Sequence, residues 1–234
     1  MIQRLALSIS FLLPLLITGC LFQGPIKDTQ PAQANIQGID VSKYQGEIDF
    51  TKIKTAGISY VFVRASEGNT YQDVNFKVNF NNAKAAGLTV SAYHFYESND
   101  APDTQLKNFT KMVTLSPGDL QPVVDIEKLH MQDDTNLMKN LMTYLTGLET
   151  HYGVKPIIYT GLNFANQYVT QFSEYPLWLA EYEVSSPTVP SGWKDWTFWQ
   201  YSQAGTVDGI EGNVDVDKFN GDLISFSKLL IKKP

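Results

Sequence analysis

Five times in succession a short apolar run in this chain gives way to a segment with helical spacing, and then the helices stop. Ile36 to Val41, Ser59 to Ala65, Leu88 to Phe95, Gln121 to Ile126 and Lys155 to Thr160 read as strands. Unbroken apolar stretches such as the one from Tyr60 to Val63 are what strands buried on both faces require. Helical segments follow from about Asp49 to Ala56, Gln72 to Ala86, Asp103 to Leu115, Thr135 to Tyr152 and Leu162 to Val169, three of them ended by Gly57, Gly87 and Gly153. After that, Pro176 to Tyr182, Trp196 to Ser202 and Gly212 to Asp217 are strands joined by loops rich in Ser, Pro and Gly, and Leu223 to Ile231 reads as a terminal helix. Five βα units and three strands lacking helices make eight strands. The pattern predicts an α/β fold, an irregular TIM-like barrel over residues 36–234. A chain of 234 residues is long enough to build it as one domain.

The first residues follow a different logic. Arg4 precedes an apolar region from Leu5 to Ile17, closed by Thr18, Gly19 and Cys20. Residues 1–19 therefore read as a secretory signal, since a run broken at Pro14 falls short of the roughly 20 apolar residues of a membrane-crossing helix. The Ile-Thr-Gly-Cys ending resembles a bacterial lipobox, in which the cysteine becomes the lipid-bearing N-terminus. Residues 20–35, rich in Gln, Pro and Ala, read as a tether. The expectation is a monomer exported across the inner membrane and held at a lipid bilayer through acylated Cys20, either on the outer membrane facing the periplasm or at the cell surface. Cys20 is the only cysteine, so no disulfide is expected and thiol catalysis is excluded.

Several chemistries are absent from the sequence. A net charge of −6 and the lack of any Lys/Arg-rich stripe argue against nucleic acid as a partner. There is no Gly-rich phosphate loop, no His-Glu-x-x-His and no Gly-x-Ser-x-Gly elbow. His94, His130 and His151 lack ligand spacing, and His94 reads as a hydrogen-bonded barrel residue; neither a metal nor a cofactor is expected. Carboxylates remain. On a barrel of this kind the reactive groups sit at the C-terminal ends of the strands, and there the sequence places Asp40, Glu67, Asp125, Glu127, Glu181 and Asp215, the last at the end of the eighth strand. Asp125 and Glu127 are i and i+2, on one face of a strand. Tyr44, Tyr93, Phe95, Tyr159, Trp178, Tyr182 and Trp199 fall on the same rim, and sugar rings pack against such side chains. Acids facing aromatics suit glycoside hydrolysis.

The motifs also carry a resemblance. Gly38-Ile-Asp-Val-Ser-Lys-Tyr-Gln-Gly, Phe62-Val-Arg-Ala-Ser-Glu-Gly, Ala92-Tyr-His-Phe-Tyr, Val124-Asp-Ile-Glu, Leu177-Trp-Leu-Ala-Glu-Tyr, Trp199-Gln-Tyr and Val214-Asp-Val-Asp-Lys-Phe resemble, in order, the motifs of glycoside hydrolase family 25, the Chalaropsis-type lysozymes. The resemblance implies the same irregular barrel. It also implies N-acetylmuramidase activity on the β-1,4 bond between N-acetylmuramic acid and N-acetylglucosamine, with peptidoglycan glycan strands as partner. Glu127 matches the general acid, Asp125 its companion carboxylate, and Asp40 and Asp215 two further active-site acids. Tyr44, Glu67, Tyr93, Tyr159, Trp178, Tyr182 and Trp199 are the expected substrate-binding residues.

Negative charge from Asp125 and Asp40 is expected to favour the neutral form of Glu127. Residues i and i+2 of a strand lie about 6.6 Å apart at Cα, between the carboxyl separations of retaining and inverting enzymes. The 2-acetamido group of such substrates favours a third route, in which its oxygen is the nucleophile and Asp125 orients it. Two alternatives stay open from sequence: an inactive lipid-anchored peptidoglycan-binding protein, and a glycosidase acting on other 2-acetamido sugars.

Overall fold

The computed structural model describes residues 35–130 and 134–232; the signal segment, Cys20 and the tether up to Ala34 lie outside the described residues. Strands β1 (Gln37–Val41), β2 (Tyr60–Glu67), β3 (Tyr71–Gln72), β4 (Thr89–Phe95), β5 (Val123–Asp125), β6 (Ile157–Gly161), β7 (Leu177–Ala180), β8 (Phe198–Gly205) and β9 (Val214–Phe219) form one sheet. Its order is β1-β9-β8-β7-β6-β5-β4-β2-β3, and β1 also pairs with β2, so eight strands close a barrel and β3 is a small flap on its side. Helices α1 (Phe50–Thr55), α2 (Phe76–Ala85), α3 (Pro102–Met112) and α4 (Asp134–Tyr152) follow β1, β3, β4 and β5. Helix α5 (Leu162–Phe164) continues as a π turn at Ala165–Val169 and a 3-10 turn at Thr170–Phe172, and α6 (Leu223–Ser227) ends the fold. The expected architecture is observed.

Strand alternation divides the core in two. Outward residues such as Ile39, Val61, Val63, Val90, Val124, Ile158, Leu177 and Leu179 join the apolar faces of the helices in one cluster. Inward residues Tyr60, Phe62, Tyr93, Val123, Ile157, Tyr159, Trp178, Phe198 and Phe219 fill the barrel in the other. The filling is aromatic: Phe62 stacks on Trp178 with ring centres 4.2 Å apart and meets Phe198 edge-on at 5.2 Å. Each such ring buries enough apolar surface to contribute on the order of 2 kcal/mol. Phe226 of α6 closes the lower end, 5.1 Å from Phe219 and 5.7 Å from Tyr60. One glycine is needed for this packing. A Cβ on Gly38 would lie 2.1 Å from the Tyr60 ring, which occupies the space over β1.

Three details differ from the sequence reading. Seven barrel strands run parallel, but β9 is antiparallel to both β1 and β8. Asp215 is therefore near the start of its strand, not its end, and reaches the upper rim because that strand enters the barrel from the top. The second helix begins at Phe76, since Tyr71 and Gln72 turn back to pair with Glu67 and Ser66. The terminal helix stops at Ser227, after which Leu230 bridges to Leu120.

Candidate active site

The upper end of the barrel holds a pocket of about 240 Å³ lined by Asp40, Ser42, Tyr44, Gln45, Arg64, Tyr93, Phe95, Asp125, Glu127, Tyr159, Trp178, Gln200 and Asp215. Most of these are inward residues at the tops of their strands, placed by one periodicity, while Ser42, Tyr44, Gln45 and Glu127 come from the segments that follow β1 and β5. Such a volume is below the roughly 300–1,000 Å³ of sites that enclose a whole ligand. It suits one ring of a longer chain, with the remainder lying across the rim.

The acids form two pairs. Asp125 ends β5 and is buried, whereas Glu127 lies two residues beyond the strand and is exposed. Burial pushes the Asp125 carboxyl well above the ordinary carboxylate range, and the negative charge of Glu127 and a hydrogen bond to it add to the effect; Arg64 and Lys128 oppose it. Sequence reading expected Asp125 and Asp40 to act on Glu127. In the structure the burial falls on Asp125, and it is that burial which raises the Asp125 carboxyl.

The second pair is made across strands. Asp40 and Asp215 are register partners on β1 and β9. Burial raises Asp40 well above its ordinary value, with the charges of Asp217 and Asp215 adding to it. Asp215 is raised by its own partial burial, and a hydrogen bond from Asp40 works against that rise. Gln200 fixes this pair: its Nε2 donates to Asp40 Oδ2 at 2.6 Å, while its Oε1 accepts from the hydroxyl of Tyr159 at 2.8 Å and from that of Tyr182.

The remaining candidates divide by strand parity. Tyr93, Tyr159 and Trp178 point inward and form the floor, with Tyr159 and Trp178 edge-on at 4.5 Å. Tyr44 is 75% exposed at the lip. It is lifted there by a turn in which Gln45 Oε1 accepts from Ser42 N at 2.8 Å and Ser42 Oγ accepts from Tyr44 N at 3.3 Å. Tyr182 stands just behind the lining, reaching it through Gln200.

With Tyr182, three further candidates, Trp199, Glu67 and Glu181, lie outside the pocket lining. Trp199 follows inward Phe198 and so faces outward, with Nε1 donating to the Glu181 carbonyl at 2.8 Å and its ring against Trp196 at 5.9 Å. Glu67 is ion-paired with Arg64, whose guanidinium lies 5.3 Å from Phe95 and 5.4 Å from Tyr71, so Glu67 holds a lining residue instead of being one. Glu181 is engaged elsewhere too, accepting from Thr188 N at 2.6 Å.

His94 faces the helices, as expected of a barrel residue. Its Nδ1 lies 2.8 Å from Ser66 Oγ and its Nε2 3.1 Å from Gln105 Oε1, and burial lowers its pKa to about 3. Sequence reading missed Arg64, Gln200 and Asp217. The signal was available: Arg64 is two residues after inward Phe62, Gln200 two after Phe198 and Asp217 two before Phe219. Among the described residues no three His, Cys, Asp or Glu side chains are grouped so that they could hold a metal ion.

Comparison with known proteins agrees with this geometry. The chain is 34% identical over 210 residues to lysozyme M1 of Streptomyces globisporus, covering 80% of this chain and 69% of that one. It is 36% identical over 197 residues to the uncharacterised protein YegX of Escherichia coli O157:H7, covering 82% and 72%. The crystal structure of the bacterial lysozyme from Streptomyces coelicolor superposes with a TM-score of 0.80 at 33% identity, over 84% of this chain and 97% of that one. The model of glycosyl hydrolases family 25 matches residues 39–210, which takes in Asp40, Asp125 and Glu127 on a barrel closed by the same fold, and the chain belongs to that family.

Proposed function

We propose that the protein is a lysozyme of the Chalaropsis type, an N-acetylmuramidase that hydrolyses the β-1,4 bond between N-acetylmuramic acid and N-acetylglucosamine in peptidoglycan. One observation carries the reading: at the mouth of an aromatic-floored pocket, buried Asp125 and exposed Glu127, two residues apart, line the same cavity as Asp40 and Asp215. Family membership and relatives named as lysozymes support the substrate. Glu127 is the group of the pair that projects into solvent, where a glycosidic oxygen can reach it, so it is the general acid. A sugar ring seated over it excludes water from the two carboxyl groups. Asp125, with less freedom and more burial, orients the 2-acetamido group whose oxygen attacks the anomeric carbon. Asp40, held by Gln200, and its register partner Asp215 face that carbon with negative charge as positive charge develops there. Tyr44 supplies a ring on which a neighbouring sugar packs.

The same proposal includes an exported monomer anchored to a bilayer by acylated Cys20, on the outer membrane or the cell surface. Digestion of purified peptidoglycan by wild type beside Glu127→Gln tests the activity. New reducing ends on N-acetylmuramic acid, first formed with retained anomeric configuration and absent with the variant, are expected. Reducing ends on N-acetylglucosamine, or an active variant, would overturn the assignment. Fractionation of wild type against Cys20→Ala tests the anchor, and a variant that stays with the membrane would rule it out.

A further inference from the structure

Below the four acids of the site lies a fifth carboxylate, Asp217, wholly buried inside the barrel. Trp178 Nε1 donates to its Oδ1 at 2.8 Å. Its Oδ2 has no hydrogen-bond partner, and neither has the hydroxyl of Tyr60, although both are buried. The register brings these groups together. Gly38 on β1 is opposite Tyr60 on β2 and opposite Asp217 on β9, and the Tyr60 ring lies over Gly38, with Cζ 2.3 Å from where a Cβ would be. The phenol therefore extends across β1 with its hydroxyl towards β9. One layer higher on β1 and β9 stand Asp40 and Asp215, and on β8 Gln200 is the register partner of Asp217 itself, its side chain reaching up to Asp40.

We propose that Asp217 is a positioning residue of the active site, holding the Trp178 indole that floors the pocket and standing as the base of a buried polar column that rises through Asp40 to Asp215. The inference rests on the muramidase reading for its meaning in catalysis and on geometry for its existence. An asparagine would satisfy the indole equally well, so the indole alone does not call for a charged group. The charge acts upward. After burial, the charge of Asp217 is the largest influence holding a proton on Asp40, ahead of Asp215 itself. A protonated Asp40 can donate to Asp215, which leaves one negative charge on that pair instead of two. The titratable groups facing Asp217 are Asp40 on β1, Asp215 on β9, Tyr60 on β2 and Tyr201 on β8. These acids titrate as a cluster, and removing one member moves the others' proton loss to lower pH.

Two variants and two readouts test this. Asp217→Asn keeps an acceptor for Trp178 and removes the charge; Asp217→Leu removes both. In the full chain labelled with 15N-tryptophan, with Trp178→Phe identifying the resonance, the Trp178 indole N–H is expected to follow pH in wild type. In Asp217→Asn it should lose that dependence, and in Asp217→Leu it should move to the position of an unbonded indole. In peptidoglycan hydrolysis, the alkaline limb of the pH profile of Asp217→Asn should move down by about one pH unit while the acid limb stays. An indole resonance indifferent to both substitutions, or a superimposable pH profile with a normally folded Asp217→Asn, would overturn the proposal. A wild-type chain without hydrolytic activity would instead sink the muramidase reading and leave the spectroscopic test standing.

Discussion

The two acid pairs at the mouth of the barrel have the same composition of charge but are built in opposite ways. Asp125 and Glu127 are two residues apart on one strand end, so their proximity is local and any chain that forms β5 will bring them together. Asp40 and Asp215 are far apart in sequence and meet only because β9 runs antiparallel to β1 in a register that sets one against the other. The local pair is asymmetric, one member buried and one exposed, which suits a group that must give a proton to a substrate. The cross-strand pair, with Asp40 buried and Asp215 half-buried, is braced by Gln200, Tyr159 and Tyr182 and backed by Asp217, which suits a fixed electrostatic environment. A proton donor can be specified by a few neighbouring residues. A preorganised field needs the whole barrel.

That contrast can be tested, beginning with the largest effect. If Glu127 is the proton donor proposed above, Glu127→Gln should lower turnover by about 10²–10⁴-fold, measured as reducing ends released from purified cell wall, with the melting temperature unchanged because Glu127 is exposed. If turnover persists, the local pair is not the donor.

Breaking the other pair should cost less and behave as a unit. Asp40→Asn and Asp215→Asn are each expected to reduce turnover by about 10²-fold, and the double variant by scarcely more than either, since one interaction is lost in all three. Full additivity in the same assay would show that the two aspartates act independently.

The stability of the fold should report the same enclosure. Asp40, Asp125 and Asp217 all have folded-state pKa values raised above the unfolded value of about 3.9 by burial. Their contribution to stability is therefore fully present below about pH 4 and is lost as pH rises through the folded-state values. Melting temperature should fall from mildly acidic towards neutral pH, and Asp40→Asn or Asp217→Asn should flatten the fall and melt higher than wild type at neutral pH. A wild type that grows more stable over that range would contradict it.

The smallest effect belongs to the lip. Tyr44→Ala removes an exposed ring held by its turn and should raise KM by about 2- to 10-fold with kcat little changed. An unchanged KM on long glycan strands would show that the lip takes no part in binding.

Much of this was legible in the amino-acid order. The apolar runs and the glycine stops marked nearly every strand and helix, because burial on both faces and helix termination are local demands. Asp40, Asp125, Tyr93, Tyr159 and Trp178 were placed correctly at the barrel mouth by the rule that such strands present their C-terminal ends there. Trp199 was misplaced by the same rule used without parity: its neighbour Phe198 takes the inward position, so Gln200, not Trp199, reaches the site. Glu67 joins the strand-end acids by position, but its ion pair with Arg64, three residues earlier, keeps it out of the pocket lining.

By itself, then, the sequence determined which segments become strands and helices, which residues can face inward, and the proximity of Asp125 to Glu127, since periodicity and short spacing are properties of the backbone alone. Only the tertiary structure decided the direction of β9, the meeting of Asp40 with Asp215, the hub at Gln200 and the burial of Asp217 beneath Trp178. Those depend on which strands become neighbours and in what register, and that is settled by closing the whole barrel around its aromatic filling.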